Sequence, residues 1–315
     1  MKRVVKILLI VSAVLVAVGI LLVIASGLMG GHFSDLWTDR IQVPAFFHFG
    51  SRITTPGNEY SENNTYSIAA AGIDAVQIDW ISGEVVVKIG ETEKIVFSEA
   101  GTGLTEKTAL RYDVQGSTLD IHYCDDQKFL NVNLTAKQLT VTLPAALAEN
   151  LREISVETVS ADVTIDDPAF RMEKLDFETV SGNLNAMIDF AGTAELETVS
   201  GNLRVNGAIR KFEAESNSGI LSVTGGTNEF KAESVSGDVL LDCRNEAPGG
   251  LDIETTSGNV VLQLPQAADL TLAYETVSGD FDSAFAMSIH NGYYVIGGGH
   301  SEWGVETVSG DLTVR

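Results

Sequence analysis

The stretch Glu195-Leu196-Glu197-Thr198-Val199-Ser200-Gly201-Asn202-Leu203-Arg204-Val205 decides how this chain folds. Leu196, Thr198 and Ser200 share one parity and Glu195, Glu197 and Val199 the other, the period-two alternation of a strand with one face turned inward. After Ser200-Gly201 the apolar positions change parity, to Leu203 and Val205, so the chain bends at the glycine, which tolerates the dihedrals a bend needs. The same phase recurs as Ile154, Val156, Thr158, Ser160 then Val163, Ile165, and as Phe230, Ala232, Ser234, Ser236 then Val239, Leu241. It recurs again as Leu251, Ile253, Thr255, Ser257 then Val260, Leu262.

The hexapeptide Glu-Thr-Val-Ser-Gly-Asp/Asn, or a close variant, places its serine at Ser160, Ser181, Ser200, Ser218, Ser236, Ser257, Ser278 and Ser309, at intervals of 21, 19, 18, 18, 21, 21 and 31 residues. A degenerate copy, Asp79-Trp80-Ile81-Ser82-Gly83-Glu84, keeps the phase with Val76, Ile78, Trp80, Ser82 then Val85, Val87. Periods of about 20 residues are too short for paired-helix repeats, which need roughly 33, and the pattern of leucine-rich repeats is missing. One coil of a β-solenoid fits each interval. The fold class expected is therefore all-β, a β-solenoid of short coils, with like residues in columns at ~4.8 Å. Inward Thr and Ser columns are expected to bond one another up the stack. No His accompanies the serines within a copy and no strand-to-helix elbow surrounds them, so they are read as structural and no catalytic residue is assigned.

The outward column is Glu157, Glu178, Glu197, Glu215, Glu233, Glu254, Glu275 and Glu306. Neighbouring ionised carboxylates at that spacing repel by about 1 kcal/mol in water. Splayed rotamers and salt, partial protonation, bridging divalent cations or a cationic ligand would each relieve the strain. This acidic ladder is the candidate binding feature. The Asp-rich nonapeptide of calcium-binding β-rolls is missing, so no metal or other cofactor is assigned. An Asx column (Asp162, Asn183, Asn202, Asp238, Asn259, Asp280, Asp311) follows the glycine and suits a turn; Ile220 interrupts it without interrupting the repeat.

Over its 315 residues the chain has 43 acidic and 20 basic side chains, a formal net charge of −23. Residues 1–30 hold three of the cations and no acid, leaving 17 basic against 43 acidic residues in the rest. So few scattered cations argue against a nucleic-acid partner. Two cysteines, Cys124 and Cys243, rule out a disulfide-dense scaffold and paired-Cys zinc sites. They are read as unpaired core residues, although an outside location would permit a bond.

Between Val4 and Ala25 the only charge is Lys6, in a run long enough to cross a bilayer core of ~30 Å. Residues 1–27 are read as a cytoplasmic tip and an uncleaved signal-anchor, with Lys2, Arg3 and Lys6 holding the amino end inside and the acidic body outside. Residues 28–66 are read as an aromatic juxtamembrane segment and a polar linker. Residues 67–150 are expected to form an N-terminal capping part, and residues 151–315 the repeat with its C-terminal cap. The long last interval contains Asn291-Gly292 and the Gly297-Gly298-Gly299 run, which suggest hairpin turns closing the open end. Tyr293, Tyr294 and Trp303 form a candidate exposed aromatic patch.

The ETVSGD copies, the LTVTLPAAL segment from Leu139 to Leu147 and the closing GVETVSGDLTVR resemble the bacterial β-strand-repeat family of unknown function that carries an adhesin label. The resemblance covers roughly residues 67–315. It implies a β-solenoid, a single amino-terminal membrane anchor and, for some members, a place in cell-envelope stress systems; it implies no catalytic residues. Ala161 in place of the first full copy's glycine and Asn217-Ser218-Gly219-Ile220 in the fourth depart from the pattern.

These readings converge on a non-enzymatic, membrane-anchored, extracytoplasmic solenoid, an adhesin or envelope interaction and stress protein. Its expected partners are the membrane, through the N-terminal helix, and an envelope component, cationic peptide or protein on the acidic face. The alternatives are a polysaccharide-active β-helix enzyme and a self-assembling structural surface protein.

Overall fold

The computed structural model describes residues 63–124 and 136–315. The expected transmembrane segment lies outside the described residues, as do the aromatic segment after it and most of the polar linker. Among the described residues no helix is long and apolar enough to cross a membrane, and a four-residue helix, α1 (Ala145–Ala148), interrupts a succession of strands. All-β architecture follows directly.

Two parallel ladders carry the repeat. Segments ending at the Glu-Thr pair stack as β2 (Ala75–Gly90), β7 (Leu151–Asp166), β8 (Arg171–Thr179), β9 (Leu184–Thr198), β10 (Leu203–Ser216), β12 (Thr227–Ser234), β14 (Gly250–Thr255), β20 (Ser301–Thr307) and β16 (Leu270–Thr276). Beyond the bend a second ladder is formed by the last halves of β2 and β7, the first halves of β9 and β10, and β11 (Leu221–Thr224), β13 (Val239–Asp242), β15 (Val260–Gln263), β21 (Leu312–Val314) and β17 (Phe281–Ser283). Register keeps like beside like: Leu196 lies between Phe177 and Ala214, and Thr198 between Thr179 and Ser216. The alternation seen in the sequence therefore becomes a continuous buried core. Within it Phe212 and Phe230 stack at 4.9 Å between ring centroids.

The hydroxyl columns differ from expectation. Thr198 and its equivalents are buried, but most satisfy their hydroxyls within their own coil rather than up the stack. Thr198 Oγ1 accepts from Gly201 N at 2.7 Å, and Ser234 Oγ accepts from Gly237 N at 2.9 Å while donating to Gly237 O at 2.8 Å. Thr158 Oγ1 donating to Thr179 Oγ1 at 2.8 Å does follow the expected route. The serines before the glycines are not inward at all. Ser200 is exposed and donates to Val180 O of the neighbouring coil at 3.3 Å. The reason is the bend itself, which takes effect at the serine and turns it out of the inward parity. At the glycine the coils approach so closely that a Cβ on Gly219 would lie 1.7 Å from Gly201 O. The Asx side chains do bind across coils: Asn183 Oδ1 accepts from Asn202 N at 2.9 Å, and Asn202 Oδ1 from Ile220 N at 3.1 Å.

Coil order in space departs from coil order in sequence. After β16 and β17 the chain forms an antiparallel hairpin, β18 (Ser288–His290) and β19 (Tyr293–Ile296), turning at Asn291 and Gly292, both at positive φ. This is the hairpin the Asn-Gly pair suggests. β19 lies against Leu270–Leu272 on the outer edge of β16. The chain then crosses to the inner edge, where β20 and β21 slot between the Ser257 and Ser278 coils. The last coil of the sequence is thus internal, and the Ser278 coil ends the stack. Identical bonding edges on every coil make this exchange possible, since Ser309 Oγ donates to Thr256 O and Ser278 Oγ to Val308 O with the usual geometry.

At the other end the cap is antiparallel. β1 (Asn63–Ala69) pairs with β3 (Lys94–Ala100), β3 with β6 (Lys137–Pro144), and β6 runs parallel to the second half of β2. β4 (Arg111–Gln115) pairs with β5 (Thr118–His122), which runs parallel to the first half of β2. Residues 63–66, expected as the end of the linker, belong to β1. Tyr66 anchors them by packing on Phe97 and Tyr112, each at 5.6 Å between ring centroids. Cys124 and Cys243 are both buried, and Cys243 is a free thiol.

Candidate functional site

The glutamates fall into one register on the outward face of the first ladder. Asp79 of β2 lies beside Glu157, then Glu178, Glu197, Glu215, Glu233, Glu254, Glu306 and finally Glu275. Strand spacing sets the pitch of this carboxylate row at ~4.8 Å. The order at the end, with Glu306 before Glu275, follows from the intercalated coil. Two residues further on the same face runs a row of half-buried valines, Val159, Val180, Val199, Val235 and Val308, ending at Val277, which is 74% exposed.

Desolvation disfavours the charged carboxylate, and the neighbours in the row add repulsion. Burial, with the charges of Asp79, Glu178 and Asp176, pushes the Glu157 carboxyl up to about 8. Glu178 is pushed up to about 7 by burial and by Glu197 and Asp176, against the opposing charge of Lys174. Glu197 and Glu215 are raised by burial and by their next neighbours, Glu215 and Glu233. Three lysines in the flanking columns offset part of the charge. Lys174 Nζ lies 2.7 Å from Asp176 and 2.8 Å from Glu195, Lys211 Nζ 2.9 Å from Glu213, and Lys231 Nζ 2.7 Å from Glu233.

At the head of the row the next strand is β5, where His122 stands opposite Asp79 with Nδ1 at 2.9 Å from Asp79 Oδ2. Asp120, two residues before, is pushed up to about 6 by burial and by Asp113, against the opposing charge of His122. Sequence reasoning did not find His122 or Asp120, which lie outside the repeat. Asp79 was legible, since the degenerate copy puts it in the glutamate position. Among the described residues no group of three or more His, Cys, Asp or Glu is placed to hold a metal ion.

The aromatic trio does not form one exposed patch. Trp303 is 3% exposed, lies between Leu251 and Leu272 in the core and donates from Nε1 to Pro248 O at 3.1 Å. Tyr293 is 48% exposed on the terminal hairpin, and Tyr294 packs edge-on against Phe281 at 4.5 Å.

The chain matches the Toastrack DUF4097 family over residues 73–315. It belongs to that family. A putative adhesin from Bacteroides fragilis NCTC 9343 has a similar structure, with a TM-score of 0.50 and 14% identity over 81% of this chain and 98% of that one. A putative lipid binding protein from Parabacteroides distasonis ATCC 8503 aligns with a TM-score of 0.45 and 15% identity over 81% of this chain and 97% of the other. A putative cell adhesion protein from Clostridium sporogenes ATCC 15579 aligns at 0.30 and 12% identity over 80% and 97%. At these identities the likeness concerns the fold alone. No curated protein matches the chain.

Proposed function

We propose that this Toastrack protein is a non-enzymatic, membrane-anchored, extracytoplasmic solenoid whose acidic face binds a cationic peptide or protein of the cell envelope, in adhesion or stress signalling. The in-register row from Asp79 to Glu275 carries this reading. A row of carboxylates with raised affinity for protons gains by meeting fixed cations, because a cation offsets the desolvation and mutual repulsion that raise it. The anchor follows from the cationic tip and apolar run of residues 1–25. The test is retention of the detergent-solubilised full chain on polylysine and on envelope fragments. Replacing Glu197, Glu215 and Glu233 together by Gln is expected to weaken retention by about tenfold, and salt to weaken the wild type more steeply than the variant. Equal retention of both proteins overturns the reading.

The terminal coil favours one further reading, end-to-end assembly. β19 covers only Leu270–Leu272 of the outer edge of β16, and Val277, Ile289 and Tyr293 are exposed around the remainder. An edge of this kind pairs readily with another strand. Light scattering that shows a monomer at every concentration removes it.

A further inference from the structure

The N-terminal cap encloses three side chains whose chemistry the acidic face does not use. Asn64 on β1 stands directly opposite Glu99 on β3, and its Nδ2 donates to Glu99 Oε1 at 3.0 Å. Lys137, at the start of β6, donates from Nζ to Glu99 Oε2 at 3.0 Å, to Thr108 O at 2.8 Å and to Tyr123 O. The side chains of Lys137 and Glu99 are 1% and 0% exposed, and Asn64 is buried with them. Nζ lies 3.9 Å from the Tyr123 ring centroid and 4.7 Å from that of Trp80. An amine, a primary amide and a carboxylate bonded to both are thus held together in an aromatic, water-poor enclosure.

We propose that Lys137 and Asn64 join in an intramolecular isopeptide bond, with Glu99 as the proton carrier. In the starting state the ammonium passes one proton to the Glu99 carboxylate. Burial holds the Lys137 amine below the usual lysine range, against the opposing charge of Glu99, which brings the neutral amine within reach. A neutral amine has two N–H donors and one lone pair. Thr108 O and Tyr123 O take the two donors, so the lone pair is left on the side of Glu99, to which Asn64 is also bonded. The lone pair attacks Asn64 Cγ, forming the Cγ–Nζ bond. Glu99 carries a proton from Nζ to Nδ2, the Cγ–Nδ2 bond breaks and ammonia leaves. One amide replaces another, nothing is oxidised or reduced, and Glu99 is returned able to carry the next proton. Holding amine and amide on one carboxylate replaces a bimolecular encounter by an intramolecular one. Loss of ammonia to solvent makes the step one-way.

The bond would tie β1, which is paired with β3 at the rim of the cap, to β6 across the intervening strand. Intact-mass spectrometry of the full chain is expected to show a folded species lighter than its sequence by one ammonia. A protease digest is expected to contain a branched peptide joining the Asn64 and Lys137 segments. Lys137→Arg and Glu99→Gln are each expected to restore the full mass, and Asn64→Asp to change the lost molecule from ammonia to water. A folded wild-type chain with its full sequence mass overturns the proposal whatever the variants do. Loss of water from the wild type also overturns it, because that places the bond at Glu99.

Discussion

Thr198 in the repeat and Lys137 in the N-terminal cap are both buried polar side chains with bonded polar atoms, yet they are held by different means. Thr198 bonds to a backbone N–H three residues away, and the same local device recurs in coil after coil. Lys137 depends on Glu99, Thr108 and Tyr123, which come from elsewhere in the chain and have no counterpart in other coils. The repeat keeps its charges outside and distributes strain along a row. The cap buries a charge pair and keeps Asp79 Oδ1 and Asp113 Oδ1 buried without a hydrogen-bond partner among the described residues. A repeated local bond tolerates the loss of one copy, whereas a unique network has nothing to substitute for a missing member.

The largest expected effect falls on the cap. Lys137→Met removes both the amine of the proposed cross-link and the cation beside the buried Glu99 carboxylate, and is expected to cost about 3–5 kcal/mol in chemical denaturation. Adding Glu99→Leu is expected to recover part of that loss; a double variant no better than the single one would break the contrast between a network and a local bond. Next comes the inter-coil contact at the glycines. Gly219→Ala puts a methyl against Gly201 O and is expected to cost about 3 kcal/mol, while Gly72→Ala, with open space around its Cβ, bears only the positive-φ penalty of about 1–2 kcal/mol. Equal melting temperatures for the two variants would show that the coils move apart freely.

Thr198→Val keeps the shape of the side chain but removes the acceptor for Gly201 N, for an expected loss of about 1–2 kcal/mol by thermal melting. The smallest effect belongs to the acidic row. Glu157 and Glu178 bind protons more tightly in the folded chain, at about 8 and about 7, than their ordinary value of 4.5. The folded state therefore holds more protons between pH 4.5 and about 8, and stability falls as pH rises through that window. Glu157→Gln is expected to flatten this slope, by no more than about 1 kcal/mol once solvent screening is allowed for. A wild-type chain whose stability rises from pH 5 to pH 8, with a slope Glu157→Gln leaves untouched, would show that the row is relieved by splaying alone.

Much of the repeat was legible. Trp303 stands where Ala194 stands in its own coil, so the phase of the motif already placed it inside, although its aromatic character suggested a surface patch. The serines were misread because parity was carried through the bend instead of being ended at it. Lys137 and Glu99 were not legible, since nothing in a local pattern marks two residues 38 apart as partners.

Alternation, period and the glycine bend determined by themselves that this chain forms stacked β-coils with a glutamate row outside, because a period-two pattern fixes which face each side chain takes. Only the tertiary structure decided that the last coil slips inside the one before it and that the cap gathers Asn64, Glu99 and Lys137. Coils with identical bonding edges do not specify their order, and long-range partners are chosen by where the chain returns.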